Sequence, residues 1–159
     1  MSKDLLKMIA DEGAEYVDIR FTDPRGKLQH VTVIADLVDE DFLEEGFMFD
    51  GSSVAGWKSI ENSDMKLMPD VESAYVDPFY AEKTICIHCS IVEPDTGEAY
   101  ERDPRGTAEK AEAYLKSTGI GDVAYMGPEA EFFLFDNVKF SNTINKVSYE
   151  VDAVSYTHL

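Results

Sequence analysis

Apolar and polar positions alternate over residues 17–21, where Val17, Ile19 and Phe21 are separated by Asp18 and Arg20, and the same period returns with Val31 and Val33. Between the two runs lies Asp23-Pro24-Arg25-Gly26, so the segment predicts a β-hairpin. Ahead of it, Leu5, Leu6, Ile9 and Ala10 share one side of a predicted helix that begins at Ser2, with Gly13 at the C-terminal cap. An acidic stretch from Asp36 to Gly46 predicts one helical turn around Phe42 and Leu43. Further strands are expected at 66–68, 74–76 and 84–92, the last ended by Glu93-Pro94-Asp95-Thr96-Gly97. Asp103-Pro104 then opens a helix, as an N-cap followed by proline at the first helical position. Ala108, Ala111, Tyr114 and Leu115 form its apolar stripe and Gly119 stops it. A strand at 123–135 and strand-like pieces at 138–140 and 147–151 follow. The pattern predicts an α+β fold with a boundary before the second long helix, giving one domain at 1–103 and the opening of another at 104–153.

Charge narrows the partners. The 159 residues carry 14 Lys and Arg against 32 Asp and Glu, a net charge of −18, which disfavours nucleic acid and anionic membrane surfaces and leaves cations and cationic substrates open. Hydrophobic residues make up 44% and the acidity is spread along the chain, as in a folded globular protein. No apolar run approaches the ~20 residues of a membrane span. MSKDLLKMIADEG lacks the apolar core of a secretory signal, so the expected location is the cytoplasm.

Three features offer chemistry. Cys86 and Cys89 stand in TICIHCS, a zinc-like spacing, but on the predicted strand residues three apart point to opposite faces and cannot close on one ion. FMFDGSSVAGW, residues 47–57, presents Asp50 on a hydroxyl-rich turn between apolar anchors that include the single tryptophan, Trp57. Ordinary turn chemistry explains such a stretch equally well, with Asp and Ser capping backbone N–H groups and Gly51 supplying positive φ. In MGPEAEFFLF, Glu129 and Glu131 leave one face of the predicted strand beside Phe133 and Phe135, while Ala130, Phe132 and Leu134 make the other face apolar too. Buried carboxylates there need cations, and either arginines or a divalent metal would serve. Hard oxygen ligands suit Mg²⁺ or Mn²⁺. Asp136, Glu150, Asp152 and His158 are the further candidate ligands downstream.

Five blocks in order, VDIRFTDPRGKLQHVTV, EEGFMFDGSSVAGW, SDMKLMPD, DPRGTAEKAEAYLKSTG and GPEAEFFLFD, resemble the N-terminal part of bacterial type I glutamine synthetase. The resemblance runs to about Asp152. It implies a β-grasp-like N-terminal domain followed by the start of a catalytic domain of the glutamine synthetase and guanido kinase type. The implied reaction joins ammonium to glutamate with ATP, through a γ-glutamyl phosphate and two divalent ions. Position by position, the resemblance makes Glu129 a ligand of the ion on the ATP phosphates and Glu131 a ligand of the ion nearer glutamate. Asp50 matches the carboxylate that binds and deprotonates ammonium, with Ser53 beside it; Trp57 and Asp64 match loop positions at a subunit junction. It also implies a homo-oligomer, a double ring whose sites form between neighbours, so that the apolar residues around Asp50 would lie against the adjoining subunit. The family's later metal ligands, ATP- and glutamate-holding arginines and flap glutamate have no counterpart in these residues. Residues 154–159, VSYTHL, depart from the pattern and read as a foreign tail, which makes an inert N-terminal fragment the expectation. Two other readings stay open: a non-catalytic β-grasp interaction module, and a related ligase that joins an amine to the γ-carboxyl of glutamate.

Overall fold

The computed structural model describes residues 2–58, 61 and 63–153, so the expected tail at 154–159 lies outside the described residues. Helix α1 spans Ser2–Glu12, strands β1 and β2 span Tyr16–Thr22 and Leu28–Ile34, and helix α2 spans Glu40–Glu45. Strands β3 (Phe47–Asp50), β4 (Asp64–Pro69), β5 (Tyr75–Val76) and β6 (Thr84–Val92) follow, then helix α3 (Pro104–Thr118) and strands β7 (Phe135–Thr143) and β8 (Lys146–Ala153). The contacts divide the chain into two compact units, Met1–Val123 and Ala124–Leu159.

The first unit is built on a mixed sheet of order β2-β1-β6-β4-β3, with β5 also paired to β6. The predicted hairpin is present: β1 and β2 are antiparallel with Val17 opposite Val33 and Ile19 opposite Val31. β6 lies parallel to β1 at the centre of the sheet and antiparallel to β4. Alternation decides the faces. Val17, Ile19, Met65, Leu67, Ile85, Ile87 and Ile91 are fully buried, and Leu5 of α1 joins Phe42 and Leu43 of α2 in the same core. Gly13 ends α1 at φ +62, as its C-cap position requires.

The opposite face is polar and tightly bonded. Asp18, 1% exposed, accepts hydrogen bonds from Arg20 Nε (2.8 Å), Thr32 Oγ1 (2.7 Å) and His30 Nδ1 (2.7 Å). Burial works against the Asp18 carboxylate, but these partners together hold its pKa below the usual range. Arg20 continues the network to Asp77 at 2.8 Å and to the Tyr75 hydroxyl, locking β5 to β1 across the sheet.

α3 joins this unit through its first turn. Asp103, 1% exposed, accepts from Arg105 N as the N-cap and, with its other oxygen, from Ile91 N of β6 at 2.9 Å. Arg105 pairs with Asp70 and reaches Ser90. The chain changes character at 103/104, and the compact unit continues across that point to Val123. The apolar stripe expected on α3 does not become core: Ala108, Ala111 and Tyr114 are exposed and only Leu115 is half-buried.

In the second unit, β7 and β8 form an antiparallel hairpin turned at Ile144 and Asn145, longer than the two pieces read from sequence. The strand expected over 123–135 is absent before Phe135. A strand persists only where a neighbour takes its backbone N–H and C=O groups, and among the described residues nothing pairs with 124–134. Phe132, Phe133 and Leu134 are 79%, 77% and 70% exposed, so the expected burial of this segment is corrected too.

Candidate functional site

Asp50 closes β3. It is exposed, and its carboxylate accepts both the Ser52 N–H (2.9 Å) and the Ser52 hydroxyl (2.7 Å). The hydroxyl bond first, then the backbone one, hold its pKa below the usual carboxylate range, so the group is anionic at neutral pH. The main residue on the carboxylate is therefore Ser52, with a smaller contribution from the Ser63 side chain, and sequence reasoning missed both; Ser53 is exposed one position further on. Directly across the antiparallel β3–β4 pair stands Asp64, also exposed. Like charges opposite one another on one face of a sheet repel, and a cation between them reverses the sign of that contribution.

The turn after Asp50 is fixed by close approach. Gly51 donates its N–H to Ser63 O at 2.7 Å, and a Cβ there would lie 2.5 Å from Met65 Sδ and 3.0 Å from Ser63 O. Its φ is not positive, so glycine is needed for space and not for a left-handed backbone. A short 3₁₀ turn, Gly51–Ser53, carries the chain on to Val54.

The apolar residues around this turn pack on their own unit. Val54 and Trp57 are 6% and 4% exposed, and Trp57 meets Phe21, Phe49 and Tyr100 at centroid distances of 5.4, 5.9 and 5.7 Å. Tyr100 donates its hydroxyl to Trp57 O (2.8 Å), Arg102 donates to Gly56 O (2.8 Å), and Lys58 pairs with Glu93. The expectation that these anchors lie against a neighbour is corrected for Phe49, Val54 and Trp57; of the residues flanking Asp50 in β3, only Met48, 47% exposed, faces outward. The aromatic cluster makes a rigid floor that holds the Asp50 turn in place.

Glu129 and Glu131 belong to the other unit. Both are exposed, on the irregular segment before β7, with no hydrogen bond or ion pair to another described residue. The argument from buried charge therefore does not apply to them. Among the described residues no three His, Cys, Asp or Glu side chains gather to hold a metal ion. The two glutamates are oxygen donors of the right chemistry for Mg²⁺ or Mn²⁺ but do not by themselves make a site.

Cys86 and Cys89 lie on β6, on opposite faces as the spacing predicts. Both are buried thiols, and burial pushes their pKa values up to about 11 and about 12. Neither is a thiolate at neutral pH.

A family model described as the glutamine synthetase β-grasp domain matches residues 13–94, and one described as the glutamine synthetase catalytic domain matches 101–158. A glutamine synthetase of Cereibacter sphaeroides is 75% identical over 155 residues, covering 96% of this chain and 33% of that protein. One of Rhodobacter capsulatus is 72% identical, covering 95% and 34%. The chain thus spans about a third of the length of the curated relatives it matches. Among solved structures, Plasmodium falciparum glutamine synthetase superposes with a TM-score of 0.75 at 24% identity, over 96% of this chain and 30% of that one. An ADP complex of GmaS gives 0.66 at 23% identity, over 74% and 26%. At these identities the two structures speak for the fold.

Proposed function

This chain belongs to the glutamine synthetase family, and from that premise we propose that it supplies the ammonium-binding side of an enzyme that joins ammonia to glutamate at the expense of ATP. The observation that carries the reading is the Asp50 carboxylate, ionised, gripped by Ser52 and facing a second carboxylate, Asp64. Ammonium is a small, strongly hydrated cation, so only a fixed anionic pocket competes with water for it.

In this reading ATP first phosphorylates the γ-carboxylate of glutamate, giving γ-glutamyl phosphate and ADP. Ammonium binds at Asp50 and loses a proton, the freed lone pair attacks the γ-carbonyl carbon, and the resulting –NH3⁺ adduct gives a second proton to the phosphate as it leaves, yielding glutamine and inorganic phosphate. The hydrogen bonds that keep Asp50 charged also make it a weak base. Its main work is then to capture and orient the cation, with the proton passing onward to water or the departing phosphate. Proximity to the acyl phosphate supplies the remaining acceleration. Glu129 and Glu131 would hold divalent ions that neutralise the phosphates when such ions are bound. The other ligands, and the groups holding ATP and glutamate, come in this reading from the two thirds of such an enzyme that the chain does not span. We place the assembled enzyme in the cytoplasm as a ring-forming homo-oligomer in which Asp50 serves a neighbour's substrate.

The test joins residues 1–153 of this chain to the remaining two thirds of the Cereibacter sphaeroides relative. Asp50→Asn, which keeps the shape and removes the charge, should raise the KM for ammonium by about 10-fold or more while the KM for glutamate changes little. An unchanged ammonium KM would remove Asp50 from the reading.

A further inference from the structure

Ser52 orients the Asp50 carboxylate inside its own turn, and it moves wherever the turn moves. The place of the turn on the sheet is decided by what holds the loop at its two ends. The chain leaves the β3–β4 pair after Asp50 and rejoins it at Asp64. At the near end Gly51 N–H donates to Ser63 O. At the far end three consecutive residues, Gly56, Trp57 and Lys58, each meet a side chain from 93–102. Arg102 donates to Gly56 O at 2.8 Å, the Tyr100 hydroxyl donates to Trp57 O at 2.8 Å, and Lys58 Nζ bonds both carboxylate oxygens of Glu93 at 2.8 Å. Of the three, the Tyr100 bond is the buried one, with Tyr100 6% and Trp57 4% exposed.

Carbonyls three residues apart connect that bond with Asp50. Gly51 O accepts from Val54 N (3.1 Å), Val54 O accepts from Trp57 N (3.2 Å), and Trp57 O accepts from the Tyr100 hydroxyl. The series begins at the residue after Asp50 and ends on a side chain outside the loop. The Trp57 indole N–H is buried without a hydrogen-bond partner among the described residues, so Trp57 is fixed in direction by these main-chain bonds. Tyr100 is itself tied down: its N–H donates to Ile91 O of β6, its carbonyl accepts from Asp103 N at the cap of α3, and its ring meets Trp57 edge-on. A buried carbonyl that loses its donor keeps its desolvation cost and turns toward water. Rotation of Trp57 O would pass through the two preceding bonds to the turn that carries Asp50. Attack geometry tolerates little of this, since a displacement of about 1 Å costs on the order of 10²-fold.

We propose that Tyr100 is a positioning residue for ammonium capture: its hydroxyl, acting through Trp57 O, fixes the Asp50 turn on the sheet, and the Lys58–Glu93 pair gives the loop its second point of hold. The inference rests on the reading of Asp50 as the ammonium-binding carboxylate, and it gives Tyr100 a role through the loop and not on the substrate.

The joined full-length protein described above tests it. Tyr100→Phe keeps the ring on Trp57 and removes only the donor. It should raise the KM for ammonium by about threefold or more while the KM for glutamate changes little. 4-Aminophenylalanine in place of Tyr100, which restores an N–H donor at the same point, should return the ammonium KM toward its starting value. Ile87→Val, a loss of core packing at the centre of β6, should lower stability and leave both KM values unchanged. Combination with Asp50→Asn decides whether the effect runs through Asp50: on that background Tyr100→Phe should raise the ammonium KM no further. If Asp50→Asn alone leaves the ammonium KM unchanged, the reading of Asp50 fails and this inference with it. If Asp50→Asn raises it and Tyr100→Phe does not, only the role of Tyr100 falls. That role also falls if the two effects multiply, if the glutamate KM rises equally, or if the amino variant fails to rescue. Should Tyr100→Phe not fold, Glu93→Gln loosens the second point of hold at the surface and should shift the ammonium KM in the same direction, an unchanged value overturning the proposal.

Discussion

The two units of this chain carry similar apolar alternation and meet opposite fates. In the first, Ile19, Ile85, Ile87 and Ile91 are 0% exposed, and the candidate carboxylate Asp50 stands on a turn braced by Gly51, Ser52 and an aromatic floor. In the second, Phe140, Tyr149 and Val147 are 79%, 70% and 81% exposed on a well-paired hairpin, and Glu129 and Glu131 stand on a segment with no partner strand. Alternation states which face seeks cover, while the cover itself must come from other elements. The candidate chemistry divides in the same way: the Asp50 carboxylate, proposed to bind ammonium, is preorganised within its own unit, and Glu129 and Glu131, proposed to bind metal, are a pair of exposed donors without further ligands among the described residues.

The sharpest way to break that comparison is to ask whether the two halves serve one site across subunits. In the joined full-length protein described above, Asp50→Ala and Glu131→Ala should each lower activity by roughly 10²-fold or more, because each removes charge aimed at the reacting groups. When unfolded subunits of the two variants are mixed in equal amounts and reassembled, roughly a quarter of junctions in a closed ring combine an intact Asp50 with an intact Glu131 from the next chain. Activity should recover toward that fraction of the unsubstituted enzyme. Hybrids of confirmed mixed composition that stay as inactive as their parents would show that each chain completes its own site.

A stability comparison follows. Ile87→Ala removes a fully buried side chain from the central strand β6 and should destabilise the first unit by roughly 2–5 kcal/mol, read by Trp57 fluorescence in urea. Phe140→Ala on β7 removes a cross-strand contact with Tyr149 but uncovers almost nothing, so amide exchange in the hairpin should change by less than about 1 kcal/mol. A larger effect at Phe140 would mean that the hairpin's aromatic face is covered in solution.

Legibility in the sequence follows the same division. β6 was readable to the residue because TICIHCSIV is long, β-branched and ended by a turn, and α3 because Asp103, Pro104 and Gly119 are chemical punctuation. β3 was hidden, since four residues are too few to establish a period and FMFD reads equally well as a loop anchor. The letters around Gly51 point to a left-handed backbone that it does not adopt, because its real constraint, the close approach of Met65 on β4 and of Ser63 just before it, comes from across the sheet. Ser52 and Ser53 are equivalent as letters, and only the tightness of the 3₁₀ turn selects Ser52 for Asp50. The over-read strand at 123–135 failed for the complementary reason: its pattern is strand-like, and its partner is not among the described residues.

The smallest expected effect sharpens what preorganisation means at Asp50. Its pKa is depressed chiefly by the Ser52 hydroxyl and next by the Ser52 N–H. A depressed pKa in the folded state means that the favourable interaction is present above the unfolded-state value and is lost as pH falls through the lowered one. At neutral pH the carboxylate is charged with or without the hydroxyl, so Ser52→Ala should leave ammonium binding there nearly unchanged. What should move is the acid limb. With the hydroxyl gone and the backbone bond retained, the Asp50 titration followed by carboxyl ¹³C NMR should shift upward toward the ordinary carboxylate value, and loss of ammonium affinity on acidification should begin at a higher pH. Ser53→Ala, one residue on and without contact to the carboxylate, should do neither. If Ser53→Ala moves the titration and Ser52→Ala does not, the turn in solution has the other serine on Asp50, and the preorganised half of the site is built differently from the geometry described.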